Sequence, residues 1–199
     1  MPRYVLSGYF FNIGNVKPFA LDTLSPTEIP SLLALQKANL KSNLTSQEAL
    51  EQGFLTFPYS SREVSRMMHD MSQPIAKAGE KLAAYALASS KEACLETKLL
   101  RPAIELCDTL VFNGKSFREV HYYMMGQICI GEEFRGMGIF DALYDMHRIL
   151  FSKEYTCVVT EISNLNARSL KAHQRIGFEV IHSYSDGETD WQLVVWDWA

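Results

Sequence analysis

A strand that enters a helix through a short glycine-containing loop commits a chain to layered α/β packing. Ile128-Cys129-Ile130-Gly131-Glu132-Glu133-Phe134-Arg135-Gly136-Met137-Gly138-Ile139-Phe140 has that form. At such a junction the first helical N–H groups lack intrahelical partners, and the positive end of the helix dipole faces the loop. The point on which they converge suits an anion, above all a phosphate or pyrophosphate. Gly136 and Gly138 permit positive φ and let ligand oxygens approach the backbone. The familiar nucleotide loops do not fit: GxxxxGK[ST] is absent, and so is the third glycine of a dinucleotide fingerprint. A purely structural strand-to-helix turn is the competing reading.

Elements of both kinds flank this junction. Ser25-Pro26-Thr27-Glu28 is a capping box with proline at the first helical position and predicts a helix over about 26–42. Thr45-Ser46-Gln47-Glu48 opens a second helix, stopped by Gly53, and Ser60-Ser61-Arg62-Glu63 a third, reaching about Met71. These helices precede the first well-marked strand, Lys81 to Ala88, which follows a turn at Lys77-Ala78-Gly79-Glu80. Residues 92–108 have helical composition interrupted by Pro102, Asn113-Gly114 turns the chain, and Arg118 to Ile130 is extended. Ile139, Leu143, Met146 and Leu150, with a second stripe of Phe140, Tyr144, His147 and Phe151, predict a helix whose apolar face meets a sheet. Thr156 to Ile162 reads as a buried strand, Asn166 to Ile176 as a helix closed by Gly177, and Phe178–Tyr184 with Trp191–Trp198 as a closing hairpin. That order implies an α/β sheet of mixed direction.

Composition narrows the function classes. With 199 residues, 47% of them hydrophobic, one full core is expected. A net charge of −4, and no run of as many as about five like charges, argue against nucleic acid as a partner. The longest apolar run, Leu82 to Ala88, is far short of the roughly 20 residues a spanning helix needs, so no membrane partner is expected. Met1 to Gly8 lacks a secretory pattern, which makes the cytoplasm the expected compartment. Cys94, Cys107, Cys129 and Cys157 lack CxxC spacing and are expected to be buried, reduced thiols. His69, His121, His147 and His182 form no ligand spacing, so no metal site is expected.

Arg135, Gly138 and, imperfectly, Phe140 match a Q/R-x-x-G-x-G/A motif, and Asn166-Ala167-Arg168-Ser169-Leu170-Lys171-Ala172-His173-Gln174-Arg175-Ile176-Gly177-Phe178 matches a later motif of Asn, helix and Gly-Phe. In these two segments the chain resembles the GNAT family of N-acetyltransferases. The resemblance implies a GNAT-type mixed α/β fold, a central twisted sheet with helices on both faces. Its middle strands, here 121–130 and 156–162, are expected to splay apart. It implies a single acetyltransferase domain over 1–199. Residues 1–75 then supply an N-terminal strand and acceptor-side helices, and residues 81–199 the CoA-binding core and closing hairpin. Acetyl-CoA is the implied co-substrate. Ile128, Cys129 and Ile130 would lie along its pantetheine arm, and Arg135, Gly136, Met137, Gly138, Ile139 and Phe140 around its pyrophosphate, with Asn166 and His173 also at the cofactor. The implied acceptor is a primary amine, that of a small molecule, attacking the thioester directly. The alternative is a non-catalytic acyl-CoA-binding or sensing module, and the assembly is a monomer or a homodimer.

Phe140 departs from the small residue usual in the motif; its side chain can turn into the core while only its N–H faces the ligand. His173 stands where the family often carries a tyrosine acting as general acid. An imidazole can also donate a proton, but its spacing from Leu170 and Ile176 equally makes it a packed residue. An amine arrives protonated, so a base is needed. Glu161, ending an apolar strand on one face with Cys157 and Val159, is the candidate, against the competing reading of a strand-end salt bridge. Gln127, alternating with Cys129 on the facing strand, is placed to orient a water or the acceptor, or else to bond the backbone. Gln36, Asn39, Phe54 and Phe57 are expected on the acceptor wall, where a core role competes for both phenylalanines.

Overall fold

The computed structural model describes residues 19–198, so Met1 to Gly8 lie outside the described residues. In chain order the elements are β1 (Ala20–Thr23), α1 (Ile29–Asn39), α2 (Ser46–Gln52), α3 (Ser61–Asp70), β2 (Pro74–Ala78), β3 (Lys81–Ser90), α4 (Lys91–Leu95) and α5 (Arg101–Cys107). A short hairpin of β4 (Val111–Phe112) and β5 (Lys115–Ser116) follows, then β6 (Tyr122–Ile130), α6 (Ile139–Phe151), β7 (Cys157–Ser163), α7 (Ala167–Ile176), β8 (Glu179–Ser185) and β9 (Asp190–Asp197). Among the described residues the main sheet runs β1-β2-β3-β6-β7-β9-β8. Every pair in it is antiparallel except β6 with β7.

Local chemistry accounts for the helix starts. In all three capping boxes the glutamate carboxylate accepts the cap residue's backbone N–H, at 2.8 Å for Ser25, 2.8 Å for Thr45 and 2.7 Å for Ser60. The helix expected over 26–42 is shorter, because Pro26–Glu28 form a 3-10 turn and Leu40 becomes extended. That break lets Lys41 N–H donate to the Leu55 carbonyl at 2.9 Å, while Leu55 N–H donates to the Asn39 carbonyl at 2.8 Å. Three helices do precede β3, the first well-marked strand, and two short strands, β1 and β2, also come before it. Lys77 and Ala78 belong to β2, and only Gly79-Glu80 make the turn. β2 opens on a proline and carries no clean apolar alternation, so its strand signal is weak.

Helices cover both faces. Cys157, Val159, Leu193 and Val195 pack with residues of α1, α3, α4 and α5 on one side, and Val158, Ile162 and Val194 pack with α6 on the other. All four cysteines are buried and free.

The centre of the sheet is divided. β6 and β7 pair only where Tyr122, Tyr123 and Met124 face Cys157, Val158 and Val159. One side-chain bond continues the seam, from Thr160 Oγ1 to the Met125 carbonyl at 2.8 Å. The β3–β6 register then shifts, Ala88 facing Met125 and Leu87 facing Gln127, which leaves Gly126 as the extra residue of a bulge. Such a bulge bends and twists its strand, and from there β6 and β7 part. A Cβ on Gly126 would stand 2.7 Å from the Tyr59 hydroxyl.

Candidate active site

Where the strands part, a cavity of about 440 Å³ opens between them. Ile128, Cys129 and Ile130 of β6 form one wall, Asn166, Arg168 and Ser169 at the α7 start another, and Arg135, Gly136 and the residues from Gly138 to Asp141 the end. Beyond Gly126, β6 pairs as a strand only with β3, so its other edge, where Arg135 Nε reaches the Ile130 carbonyl at 3.4 Å, has no strand partner and could pair with an extended, amide-bearing chain.

Gly136 and Gly138 hold φ of 76° and 77°, a left-handed conformation that turns the loop into α6. The first helical bond is donated by Ala142 N–H to the Gly138 carbonyl at 3.1 Å. The N–H groups of Ile139, Phe140 and Asp141 are therefore without helical partners at the positive end of the dipole. Arg135 corrects the expected cradle, because its own N–H donates to the Glu132 carbonyl at 3.2 Å. Its guanidinium spans three elements, reaching Asn39 Oδ1 at 2.6 Å, Gln52 Oε1 at 3.0 Å and the Ile130 carbonyl at 3.4 Å. Arg135 thus latches α1 and α2 over the cavity. Met137 packs against the α6-side core and does not line the cavity. Ile139 lies on the wall although its side chain is in the core.

Phe140 is half-buried, against Tyr144 and edge-on to His173, and it also borders the cavity. The ring is thus part of the wall as well as of the core. Sequence reasoning missed Arg175 and Arg168 on the same wall. Arg175 forms a two-pronged pair with Asp141 at 2.5 and 2.7 Å, neutralising a carboxylate beside the free helix amides. Nothing in the local sequence around either residue announces that pair.

A smaller chamber of about 100 Å³ adjoins the gap, sharing Phe54, Leu55, Ile128, Asn166 and Ser169 with it. Glu161, Gln127, Tyr59, Phe57 and Trp191 are among its walls, and Phe57 stacks on Trp191 at 5.9 Å between centroids. Glu161 faces this chamber and accepts a hydrogen bond from the Tyr184 phenol. Burial raises its carboxyl pKa; the Tyr184 bond opposes that rise, and the Asp186 charge adds to it. No strand-end salt bridge forms there among the described residues.

Gln127 is bonded at both ends, accepting from the Tyr85 phenol at 2.6 Å and donating to the Phe57 carbonyl at 2.8 Å. It positions the Phe57 loop, with one amide hydrogen and one carbonyl lone pair beyond these two bonds. His173 is 2% exposed, with Nδ1 donating to the Ser169 carbonyl at 2.8 Å and Nε2 accepting from the Tyr144 phenol at 2.7 Å. Burial pushes its pKa down to about 4. A neutral ring with both nitrogens engaged has no proton to give, so the geometry corrects the general-acid expectation to a packing role. Asn166 caps α7 through Ser169 N–H at 3.3 Å and donates to the Phe54 carbonyl at 2.8 Å. Its side chain joins the two cavities' common wall. Gln36 and Asn39 serve structure likewise, Gln36 bonding the Tyr59 backbone and Asn39 the Arg135 side chain.

No family model matches the sequence, and no curated protein does. Solved structures do resemble it. The ribosomal-protein-S18-alanine N-acetyltransferase of Escherichia coli is 13% identical, with a TM-score of 0.60 over 91% of this chain and 94% of that one. NAA60 of Arabidopsis thaliana, in complex with acetyl-CoA, is 14% identical, with a TM-score of 0.62 over 90% and 99%. An acetyltransferase of the GNAT family from Streptococcus pneumoniae is 15% identical, with a TM-score of 0.57 over 89% and 97%. The fold is that of these GNAT acetyltransferase structures. Among the described residues no helix is long and apolar enough to cross a membrane.

Proposed function

We propose that the chain is an acetyl-CoA-dependent N-acetyltransferase acting on a primary amine of a small molecule. The observation that carries this reading is the parted seam: a free β6 edge leads at one end to unpartnered helix amides and at the other to a carboxylate in a small chamber. The backbone of Ile128 and Ile130 suits the pantetheine amides, and Gly136 to Phe140 suit the pyrophosphate. When bound, acetyl-CoA supplies an activated acetyl thioester. Glu161 takes the proton of the incoming ammonium, and the raised carboxyl pKa brings its basicity closer to that task. The freed amine nitrogen would form the new bond to the acetyl carbon, the carbon–sulfur bond would break, the nitrogen would give its second proton to solvent, and the leaving thiolate would take one from solvent. The Phe57–Trp191 stack over a chamber of about 100 Å³ supports a slender acceptor rather than a folded protein surface.

The test is thiol release from acetyl-CoA across a panel of primary amines, beside thermal melts with acetyl-CoA. Stabilisation with turnover on at least one amine is the expected result. Stabilisation with no turnover on any amine would leave a CoA-binding module.

A further inference from the structure

Two rings in the wall of the small chamber come from opposite sides of the parted seam. Phe57, 41% exposed, belongs to the β6 side, where Gln127 Nε2 donates to its backbone carbonyl at 2.8 Å. Trp191, 5% exposed, lies near the start of β9, in register between Ser163 of β7 and Tyr184 of β8. The rings stack with an interplanar angle of 24°. Such a stack is held only as well as each ring is held, and an indole has one N–H with which to fix its plane. Trp191 Nε1 donates that hydrogen to Asp186 Oδ2 at 2.8 Å.

Asp186 is exposed, lies in the turn between β8 and β9, and does not itself line the chamber. Its other oxygen, Oδ1, accepts the backbone N–H groups of Glu188 at 2.9 Å and Thr189 at 2.7 Å. These bonds, the one from Trp191 foremost, hold its carboxyl below the usual range, so the indole meets an ionised acceptor at neutral pH. A chain of contacts thus runs from a surface carboxylate, through the indole N–H, to the ring that Phe57 faces, in the chamber that Glu161 also lines.

We propose that Asp186 is a positioning residue of the acceptor site: by fixing the plane of Trp191 it sets the apolar wall along which the carbon stem of the amine lies on its way to Glu161. The reacting end of the acceptor rests on the transferase reading, whereas the Asp186–Trp191 linkage does not. Asp186→Asn keeps one oxygen for the N–H groups of the turn but turns an amide NH2 toward the indole, a donor against a donor. In nitrogen-edited proton NMR the Trp191 indole resonance, assigned by its loss in Trp191→Phe, should shift and exchange faster with solvent in Asp186→Asn, with the Trp196 and Trp198 resonances in place. Calorimetric titration of the CoA-saturated protein with hexylamine should show about fivefold weaker binding in Asp186→Asn, the factor of one ordinary hydrogen bond, and CoA affinity should be unchanged. In the Trp191→Phe background the same substitution should change hexylamine affinity by less than about twofold. That comparison separates the indole bond from the Asp186 charge, which is felt at Glu161 in either background. An unmoved indole resonance, equal hexylamine affinity in wild type and Asp186→Asn, no hexylamine binding to wild type, or an equal loss in both backgrounds would overturn the inference. The expected pattern without acetyl transfer to any amine would instead count against the transferase reading and leave the Trp191 wall standing.

Discussion

Gly138→Asp separates the stability of the chain from its capacity to hold an anion. Gly138 has φ of 77°, and a Cβ built on it meets no heavy atom within 4 Å. The cost to the free protein is therefore the left-handed backbone alone, about 1–2 kcal/mol. In a chain of this size each kcal/mol lowers Tm by about 2–4 °C, so a fall of roughly 2–8 °C is expected. Acetyl-CoA at 100 times its Kd adds roughly 2.7 kcal/mol to the folded state, a rise of about 5–11 °C in wild type. An aspartate places a carboxylate and a Cβ among the amides from Gly136 to Phe140, and that rise should vanish. Gly187→Asp is the control, because Gly187 also has positive φ, 93°, and open space around its Cβ, but lies in the β8–β9 turn and does not line the cavity. The control should lose a similar amount of stability and keep the ligand-induced rise. Differential scanning calorimetry of the three proteins, with and without millimolar acetyl-CoA, provides the comparison. A rise in Gly138→Asp equal to that in wild type would refute the phosphate-loop assignment.

Glu161→Gln should remove the acidic limb of the pH–rate profile, and Tyr184→Phe should move that limb to higher pH, because it deletes the bond that favours the ionised carboxyl; steady-state kinetics across the acidic and neutral range would show a pH-independent defect if Glu161 only positions the acceptor. His173→Phe should leave acetyl-CoA binding intact and lower the rate by less than about tenfold, whereas removal of a true general acid costs about a hundredfold or more. His147 and His173 are buried with pKa values near 3 and 4, so the stability they give is fully present above the unfolded value of 6.5 and is lost as pH falls from there through the folded values. Melts should therefore lose roughly 1.4 kcal/mol per histidine per pH unit below that point, less steeply in His173→Phe, and parallel slopes would refute the assignment. Arg135→Met should weaken acetyl-CoA binding and speed amide exchange in α2, since the latch to Gln52 and Asn39 is gone; unchanged exchange by mass spectrometry would show that α2 is held otherwise.

Much of this architecture was legible in the order of residues. The capping boxes at Ser25, Thr45 and Ser60 form through contacts three residues apart, and the stripes on α6 report its buried face. The parted strands followed from the family resemblance rather than from any local signal. β1 and β2 escaped because short strands with a leading proline and small side chains carry little alternation. The roles of polar side chains were least readable, since partners distant in sequence decide them. Gln127 looks available until Tyr85 and Phe57 occupy it, Arg175 looks solvated until Asp141 meets it, and Tyr59 looks like ordinary core until its hydroxyl is found beside a bulge.

The short β6–β7 seam also has a geometric meaning. Four strands on one side and three on the other are joined within the sheet along three residue pairs and the Thr160 bond, and across the gap by the Asn166 and Arg168 side chains, which donate to the Phe54 and Glu51 carbonyls. Tyr59 and Gln127 belong to the first side, held through β6, α1 and their loop, while Glu161 and Tyr184 belong to the second. A molecule seated along the β6 edge would therefore lie between the strand that carries Gln127 and the strand that carries Glu161.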